Sequence, residues 1–292
     1  MYSNYISSPG NTARILSENG IKLRKSLGQN FLIDTNSAKK IVKCAGVDSK
    51  DVILEIGSGI GSLTEIILAR AKKVVCVEID GLLIKAFKDI FSKNLKEKSR
   101  LELIQINALK LNYGDVAGKY GINKVVSNLP YSIAAHLLLK ILLEAESIKK
   151  LLLTIQKDIA GRMLASPGDK NYSSYTVKAN FLADFNFCFQ ISRSCFIPRP
   201  FIDSVVIEAN RKENELLKSD NFDIKDFFDF VNGCFLHRRK KLVNSLSQSG
   251  SRYCDKMELI IKLLSEIGKN KNIRAEELTL EDYIYLYKKL NT

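Results

Sequence analysis

Asp51-Val52-Ile53-Leu54-Glu55-Ile56-Gly57-Ser58-Gly59-Ile60-Gly61 is the stretch that decides the fold. A short apolar run ending in a glycine cluster reads as a buried strand feeding a tight turn. Glycines there permit positive φ and close approach of backbone to a ligand. Ser62 to Arg70 continues with helical periodicity, and Lys73 to Glu78 returns as a second apolar strand. Strand, turn, helix and strand form a βαβ unit, whose right-handed crossover leaves both strands parallel in one sheet.

The rhythm extends in both directions. Upstream, Ser37 to Ala45 places Ala38, Ile41, Val42 and Ala45 on one helical face, with Lys39, Lys40 and Lys43 opposite. Downstream come an amphipathic helix from Leu82 to Leu95, strands at Leu101–Ile106 and Lys124–Ser127, an apolar helix from Ser132 to Glu144 and a strand at Leu151–Ile155. This alternation predicts an α/β domain with a mostly parallel sheet covered on both faces. After Gln156, the β-branched and aromatic runs Thr176–Phe189 and Val205–Ala209 read as strands, separated by Ile197-Pro198-Arg199-Pro200. From Phe222 onward only helical patterns remain, and Arg211–Lys218 reads as a linker. The expected division is a polar, flexible N-terminal arm over 1–21, an α/β domain over 22–212 and a small all-helical domain over 213–292.

The chain has 292 residues, 45 Lys+Arg against 32 Asp+Glu, and a formal net charge of +13. Such a balance suits a polyanionic partner, although it argues about association and not about fold. The excess is uneven: net +5 over 1–50, +2 over 51–148, +5 over 149–212 and +1 over 213–292. The last segment still contains the run Arg238-Arg239-Lys240-Lys241. A near-neutral centre with basic flanks is an electrostatic footprint around a site. No apolar run reaches the ~20 residues of a membrane span. The six cysteines show no C-x-x-C pair and no zinc spacing with the two histidines, so a reduced, cytoplasmic setting and no metal are expected. The N-terminus lacks the apolar core of a secretory signal, and one Arg in the first twenty residues gives little support to a transit peptide.

Two motifs carry chemistry. The glycine loop is followed by Glu78-Ile79-Asp80 at the end of the second strand, where a carboxylate can hold a ribose diol. Alone, the loop is also compatible with a plain tight turn. Because Ser62 stands where a dinucleotide fingerprint has its last glycine, NAD is disfavoured and S-adenosylmethionine favoured. The second motif is Asn128-Leu129-Pro130-Tyr131, after the fourth strand. Asn-Leu-Pro could be ordinary turn chemistry. Beside a cofactor site it reads differently: Asn128 Oδ1 and the Leu129 carbonyl can both accept hydrogen bonds from an exocyclic amine, and Tyr131 can stack on its base.

Several segments together resemble the KsgA/Dim-type ribosomal RNA adenine dimethyltransferases. They are Leu27-Gly28-Gln29-Asn30-Phe31-Leu32, Glu55–Gly59, Val77–Asp80, Asn128–Tyr131, Phe196-Ile-Pro198-Arg-Pro200-Phe-Ile-Asp203-Ser204, Phe235–Lys241 with Asn244–Leu246, and Arg274-Ala-Glu276-Glu277-Leu-Thr-Leu. The resemblance implies a Rossmann-like S-adenosylmethionine (SAM) domain and a helical RNA-recognition domain. It implies dimethylation of N6 on two adjacent adenines in a loop near the 3′ end of small-subunit rRNA, with a role in small-subunit biogenesis. Asn30, Leu32, Gly57, Gly59, Glu78, Asn107 and Asn128 would line the SAM pocket. Asn128, Leu129, Pro130, Tyr131 and Phe196 would serve catalysis, Phe196 as a second aromatic on the base. Arg238, Arg239, Lys240 and Lys241 would contact RNA, and the enzyme would act as a monomer.

Two departures stand out. Asn107 replaces the family's usual acidic residue near the SAM adenine, which predicts weaker SAM affinity. Tyr172-Ser-Ser-Tyr-Thr-Val lacks a basic residue that relatives carry near the substrate. Three alternatives share some of these features: an erythromycin-resistance-type large-subunit rRNA adenine methyltransferase, an RNA-binding assembly factor whose catalysis is dispensable, and an NAD-dependent oxidoreductase. His136 and His237 read as structural or surface groups, because methyl transfer from a sulfonium requires no histidine base.

Overall fold

The computed structural model describes residues 5–24, 28–97, 100–219 and 221–291. Met1–Asn4 of the expected arm and Leu27 of the N-terminal motif lie outside them. The strands are β1 (Phe31–Leu32), β2 (Val52–Ile56), β3 (Lys73–Glu78), β4 (Leu101–Gln105), β5 (Lys124–Asn128), β6 (Lys150–Gln156), β7 (Ala183–Ile191), β8 (Phe196–Ile197) and β9 (Ser204–Arg211). Seven of them form one sheet in the order β4-β3-β2-β5-β6-β9-β7. β4 through β6 run parallel, and β9 pairs antiparallel with β6. All five residues of β2 are buried, as a parallel strand covered on both faces requires. Strand order reverses between β2 and β5: the chain first steps from β2 out to β3 and β4, then returns to β5 on the other side. That reversal opens a crevice at the carboxyl ends of the two strands.

The covering helices follow their apolar spacing. Thr35–Cys44 buries Ala38, Ile41 and Val42, the predicted face, and its first turn is capped by Asp34, which accepts from Ser37 N at 2.6 Å. Ala134–Glu144 buries Ala134, Leu137, Leu138, Ile141 and Leu142. Its terminal carbonyls are taken by Arg211, whose guanidinium donates to Leu142 O at 2.6 Å, Ala145 O at 2.8 Å and Ile141 O at 3.3 Å.

Three features differ from the sequence reading. The described part of the N-terminal arm is a docked helix, Pro9–Glu18, with Thr12, Ile15 and Leu16 buried. Proline at its first turn starts the helix, Ile6 N donates to Glu65 Oε2 at 2.9 Å, and Lys39 lies over the Tyr5 ring. Second, residues 176–182 of the expected strand Thr176–Phe189 belong to a helix, Ser174–Leu182, and only Ala183 onward is extended. The β-branched and aromatic content suits a strand, but Ser173 N donates to Thr176 Oγ1 at 3.0 Å and starts a helix there. Third, the chain divides into Met1–Ala160 with Phe185–Arg211, and Gly161–Asp184 with Lys212–Thr292. Residues 161–184 therefore belong with the helical unit, because Phe181 stacks on Phe222 and tilts against Phe227. That unit's helices, Ile224–Cys234, Leu242–Ser247, Met257–Glu266 and Leu280–Leu290, enclose Phe227, Phe230, Leu246, Leu264 and Tyr283.

Candidate active site

A cleft lies over the β2/β5 reversal. It is lined by residues 28–32, the glycine loop, Glu78 and Ile79, Ile106–Leu109, Asn128–Pro130 and Ser132–Ile133. Four of the sequence motifs and the Asn107 loop thus converge on one place, all within the α/β unit.

Asn128 ends β5, and its side chain is fixed in orientation. Nδ2 donates to the Asn30 backbone carbonyl at 2.9 Å. A carbonyl can only accept, so the amide cannot be flipped, and Oδ1 is the free end. That oxygen is buried and has no hydrogen-bond partner among the described residues. A buried, unsatisfied acceptor costs stability unless a ligand supplies a donor, and such orphans mark sites of function. Leu129 beside it is buried. Tyr131 does not line the cleft but stands against it, with its hydroxyl hydrogen-bonded to Ser204 Oγ and its phenol pushed up to about 12 by burial. The bond joins the Asn128 turn to the end of the 196–204 segment.

The glycine loop is shaped by what must approach it. A Cβ on Gly57 (φ 72°) would lie 3.1 Å from Pro130 Cγ, and one on Gly59 (φ 58°) would lie 2.9 Å from Phe31 Cε1. Glycine at these two positions lets the Asn128–Tyr131 turn and the 28–32 strap close onto β2. Ser58 and Ser62 in the same loop carry buried hydroxyls without partners among the described residues. At the end of β3, Glu78 is buried and accepts from Gly59 N at 3.0 Å, Ile79 N at 2.7 Å and Asp80 N at 3.0 Å. Three backbone donors hold its carboxylate in place at the cleft wall while lone pairs remain for a diol.

Asn107 also lines the cleft. Its Oδ1 accepts from Leu109 N at 3.0 Å and starts the short turn Ala108–Lys110. Asn and Asp cap such turns equally well, so the departure from an acidic residue preserves the loop and removes only charge. Two groups that the sequence reading did not single out complete the site. Gln29 Nε2 donates to Asp80 Oδ2 at 2.9 Å, which latches the strap to the end of β3. Glu55 lies beneath the loop, 2% exposed, with Thr64 Oγ1 donating to it at 2.6 Å. Burial pushes its carboxyl up to about 8, so it is protonated at neutral pH.

The remaining site expectations fare differently. Asn30, Leu32, Gly57, Gly59, Glu78, Asn107 and Asn128 all line the cleft. Phe196 does not. It is 2% exposed in the core, paired with Leu32 across the β1–β8 ladder, and the alternation along β8 turns its ring inward. The basic run lies on the turn between Ile224–Cys234 and Leu242–Ser247 rather than on a helix face. Arg239, Lys240 and Lys241 are exposed, although Lys240 reaches Gln248 Oε1 at 2.8 Å. Arg238 is committed to Glu276 at 2.8 Å and to the Lys170 carbonyl, so it serves as a tie within the helical unit. His136 is exposed on its helix, and His237 N donates to Ser245 Oγ. Among the described residues, no group of three or more His, Cys, Asp or Glu side chains could hold a metal ion, and no helix is long and apolar enough to cross a membrane.

Comparison with known proteins gives the same picture. The profile of the family described as "Ribosomal RNA adenine dimethylase" matches residues 20–291. "Ribosomal RNA small subunit methyltransferase A" of Levilactobacillus brevis is 36% identical over 285 residues, 96% of this chain and 94% of that protein. The protein of that name from Pediococcus pentosaceus is 34% identical over 291 residues, 98% and 95% of the two chains. Among solved structures, a dimethyladenosine transferase from Plasmodium falciparum superposes with a TM-score of 0.74 at 26% identity, over 88% of this chain and 96% of its own. The 23S rRNA methyltransferase ErmE shares the fold, with a TM-score of 0.64 at 22% identity over 89% and 99%. Matched along nearly its whole length by the family profile and by these relatives, the chain belongs to the ribosomal RNA adenine dimethylase family.

Proposed function

We propose that this protein transfers methyl groups from SAM to N6 of adenines in small-subunit rRNA, forming N6,N6-dimethyladenosine at two adjacent positions near the 3′ end. The observation that carries the reading is the buried, unpartnered Oδ1 of Asn128, fixed toward the cleft by the Asn30 carbonyl. Relatives named for small-subunit rRNA support that substrate, and Arg274-Ala-Glu276 favours it over the large-subunit alternative.

The residues present fit SAM. Glu78, held by three backbone donors, would hold the ribose hydroxyls, and Asn107 would lie on the adenine side. The Ser58 and Ser62 hydroxyls offer polar partners, and Gly57 and Gly59 keep the floor open. When bound, SAM supplies an electrophilic methyl on a sulfonium, itself a good leaving group. The chain's own contribution is positional. Asn128 Oδ1 and the Leu129 carbonyl accept the two N6–H bonds of a flipped adenine, directing the nitrogen lone pair at the methyl carbon. The new N–C bond forms as the C–S bond breaks, its electron pair goes to sulfur, and a proton leaves N6 for solvent. After the first transfer one N–H remains to hold the amine for a second. Tyr131, fixed through Ser204, stands behind the Asn128 turn and braces it.

Six cysteines present as free thiols support a cytoplasmic setting.

The test is Asn128→Ala. Removing one preorganised polar contact to the reacting group lowers kcat by roughly 10²–10³-fold, while the SAM dissociation constant stays within about threefold. A variant of near-normal kcat removes the mechanism.

A further inference from the structure

Phe201 is 92% exposed, the most exposed of the large apolar side chains among the described residues. A single exposed apolar residue is ordinary on a protein surface, and three observations distinguish this one. Its backbone is fixed at several points. Asp203 Oδ1 accepts from Arg193 N at 2.8 Å and Oδ2 from Gln190 Nε2 at 2.6 Å, while Arg193 Nη1 donates to the Phe201 carbonyl at 3.1 Å. The ring is thus held out on a braced loop.

The loop is also tied to the catalytic turn. At one end β8 pairs with β1, which lines the cleft, and at the other Ser204 bonds the Tyr131 hydroxyl. Three residues of chain span at most about 11 Å, so Phe201 lies within reach of a short single-stranded segment whose target base occupies the cleft. Finally, two exposed cations are close to Phe201: Arg193, which donates to its carbonyl, and Arg199, two residues before it in the segment 149–212 that carries net +5. An exposed aromatic with arginines nearby is the composition that holds an unpaired base and its phosphates. Phe196, the aromatic expected to meet RNA from this segment, faces the core instead.

We propose that Phe201 is a stacking platform for an unpaired nucleotide flanking the target adenine, with Arg193 and Arg199 at the adjoining phosphates. The proposal rests on the rRNA reading above and deepens it: Phe201 acts on how the RNA strand is held, not on methyl transfer. The side chain touches solvent, so its substitution leaves the fold intact.

The experiment compares wild type, Phe201→Ala and Phe201→Trp on small-subunit particles. Phe201→Ala raises KM for the particle about tenfold, with kcat within twofold and SAM binding unchanged; Phe201→Trp restores KM. Because the chain contains no tryptophan, Phe201→Trp also introduces a single indole whose emission is quenched on addition of a single-stranded RNA oligonucleotide. An unchanged KM in Phe201→Ala, or an equal loss in both variants, overturns the platform. A raised KM in Phe201→Ala with indole emission indifferent to RNA assigns the ring to a ribosomal protein, and overturns it too. Failure of wild type to methylate would count against the rRNA reading, while quenching by RNA would still report on the platform.

Discussion

Asn128 and Glu55 show how one cleft uses burial in two ways. Asn128 leaves an acceptor without a partner among the described residues, as the proposed substrate contact requires. Glu55 is buried with its carboxyl pushed up to about 8, from an ordinary 4.5, and remains neutral beneath the glycine loop. The folded state keeps that proton over the interval in which the unfolded chain has released it. Stability from this group is therefore full below pH 4.5 and is lost as the pH rises through about 8. Glu55→Gln is neutral at every pH and still accepts from Thr64. Urea unfolding at pH 5 and pH 8 should show the variant gaining roughly 3–5 kcal/mol on wild type across that interval; a constant difference would mean that Glu55 is not held protonated. The sequence displayed Asn128 through its Leu-Pro-Tyr context. It could not display Glu55 as a buried acid, because its neutrality comes from burial by the strands packed around it, which outweighs the opposing hydrogen bond from Thr64 nine positions away.

Elements were legible where periodicity and breakers agreed. β2 through β6 and the helix Ala134–Glu144 lie close to where apolar spacing predicts them. Misreadings arose where tertiary contacts outvoted composition. Thr176 to Leu182 has strand-like residues yet forms a helix, started at Ser173 and packed through Phe181 on Phe222 and Phe227. The polar stretch before Gly20 looked like a free arm because its apolar residues are few. Ile6, Ile15 and Leu16 nevertheless join the core beside the Thr35–Cys44 helix. Ile15→Ala therefore lowers stability by about 2 kcal/mol in chemical denaturation, whereas a free arm would leave the unfolding midpoint unmoved. Phe196 illustrates the same limit at a motif: its pattern is visible in sequence, but the direction of its ring is set by the β1–β8 ladder.

For the whole molecule, the net charge of +13 resolves into distinct roles. The α/β unit holds the cleft, and the helical unit carries the exposed run Arg239-Lys240-Lys241, while Arg238 is spent on Glu276. Replacing Arg239, Lys240 and Lys241 together with Ala should weaken RNA binding and reduce the salt slope by up to about 3, with SAM affinity unchanged. Arg238→Ala should instead lower the stability of the helical unit. An unaltered slope in the triple variant would return the run to a solvated surface. Whether SAM-dependent N6 dimethylation falls on small-subunit rRNA is read most directly from labelled methyl transfer. Incubating the protein with methyl-labelled SAM and separated small- and large-subunit particles, then mapping the modified nucleotides, should place label in N6,N6-dimethyladenosine at two adjacent positions near the 3′ end of small-subunit rRNA; label in large-subunit rRNA, or none in either particle, would contradict it.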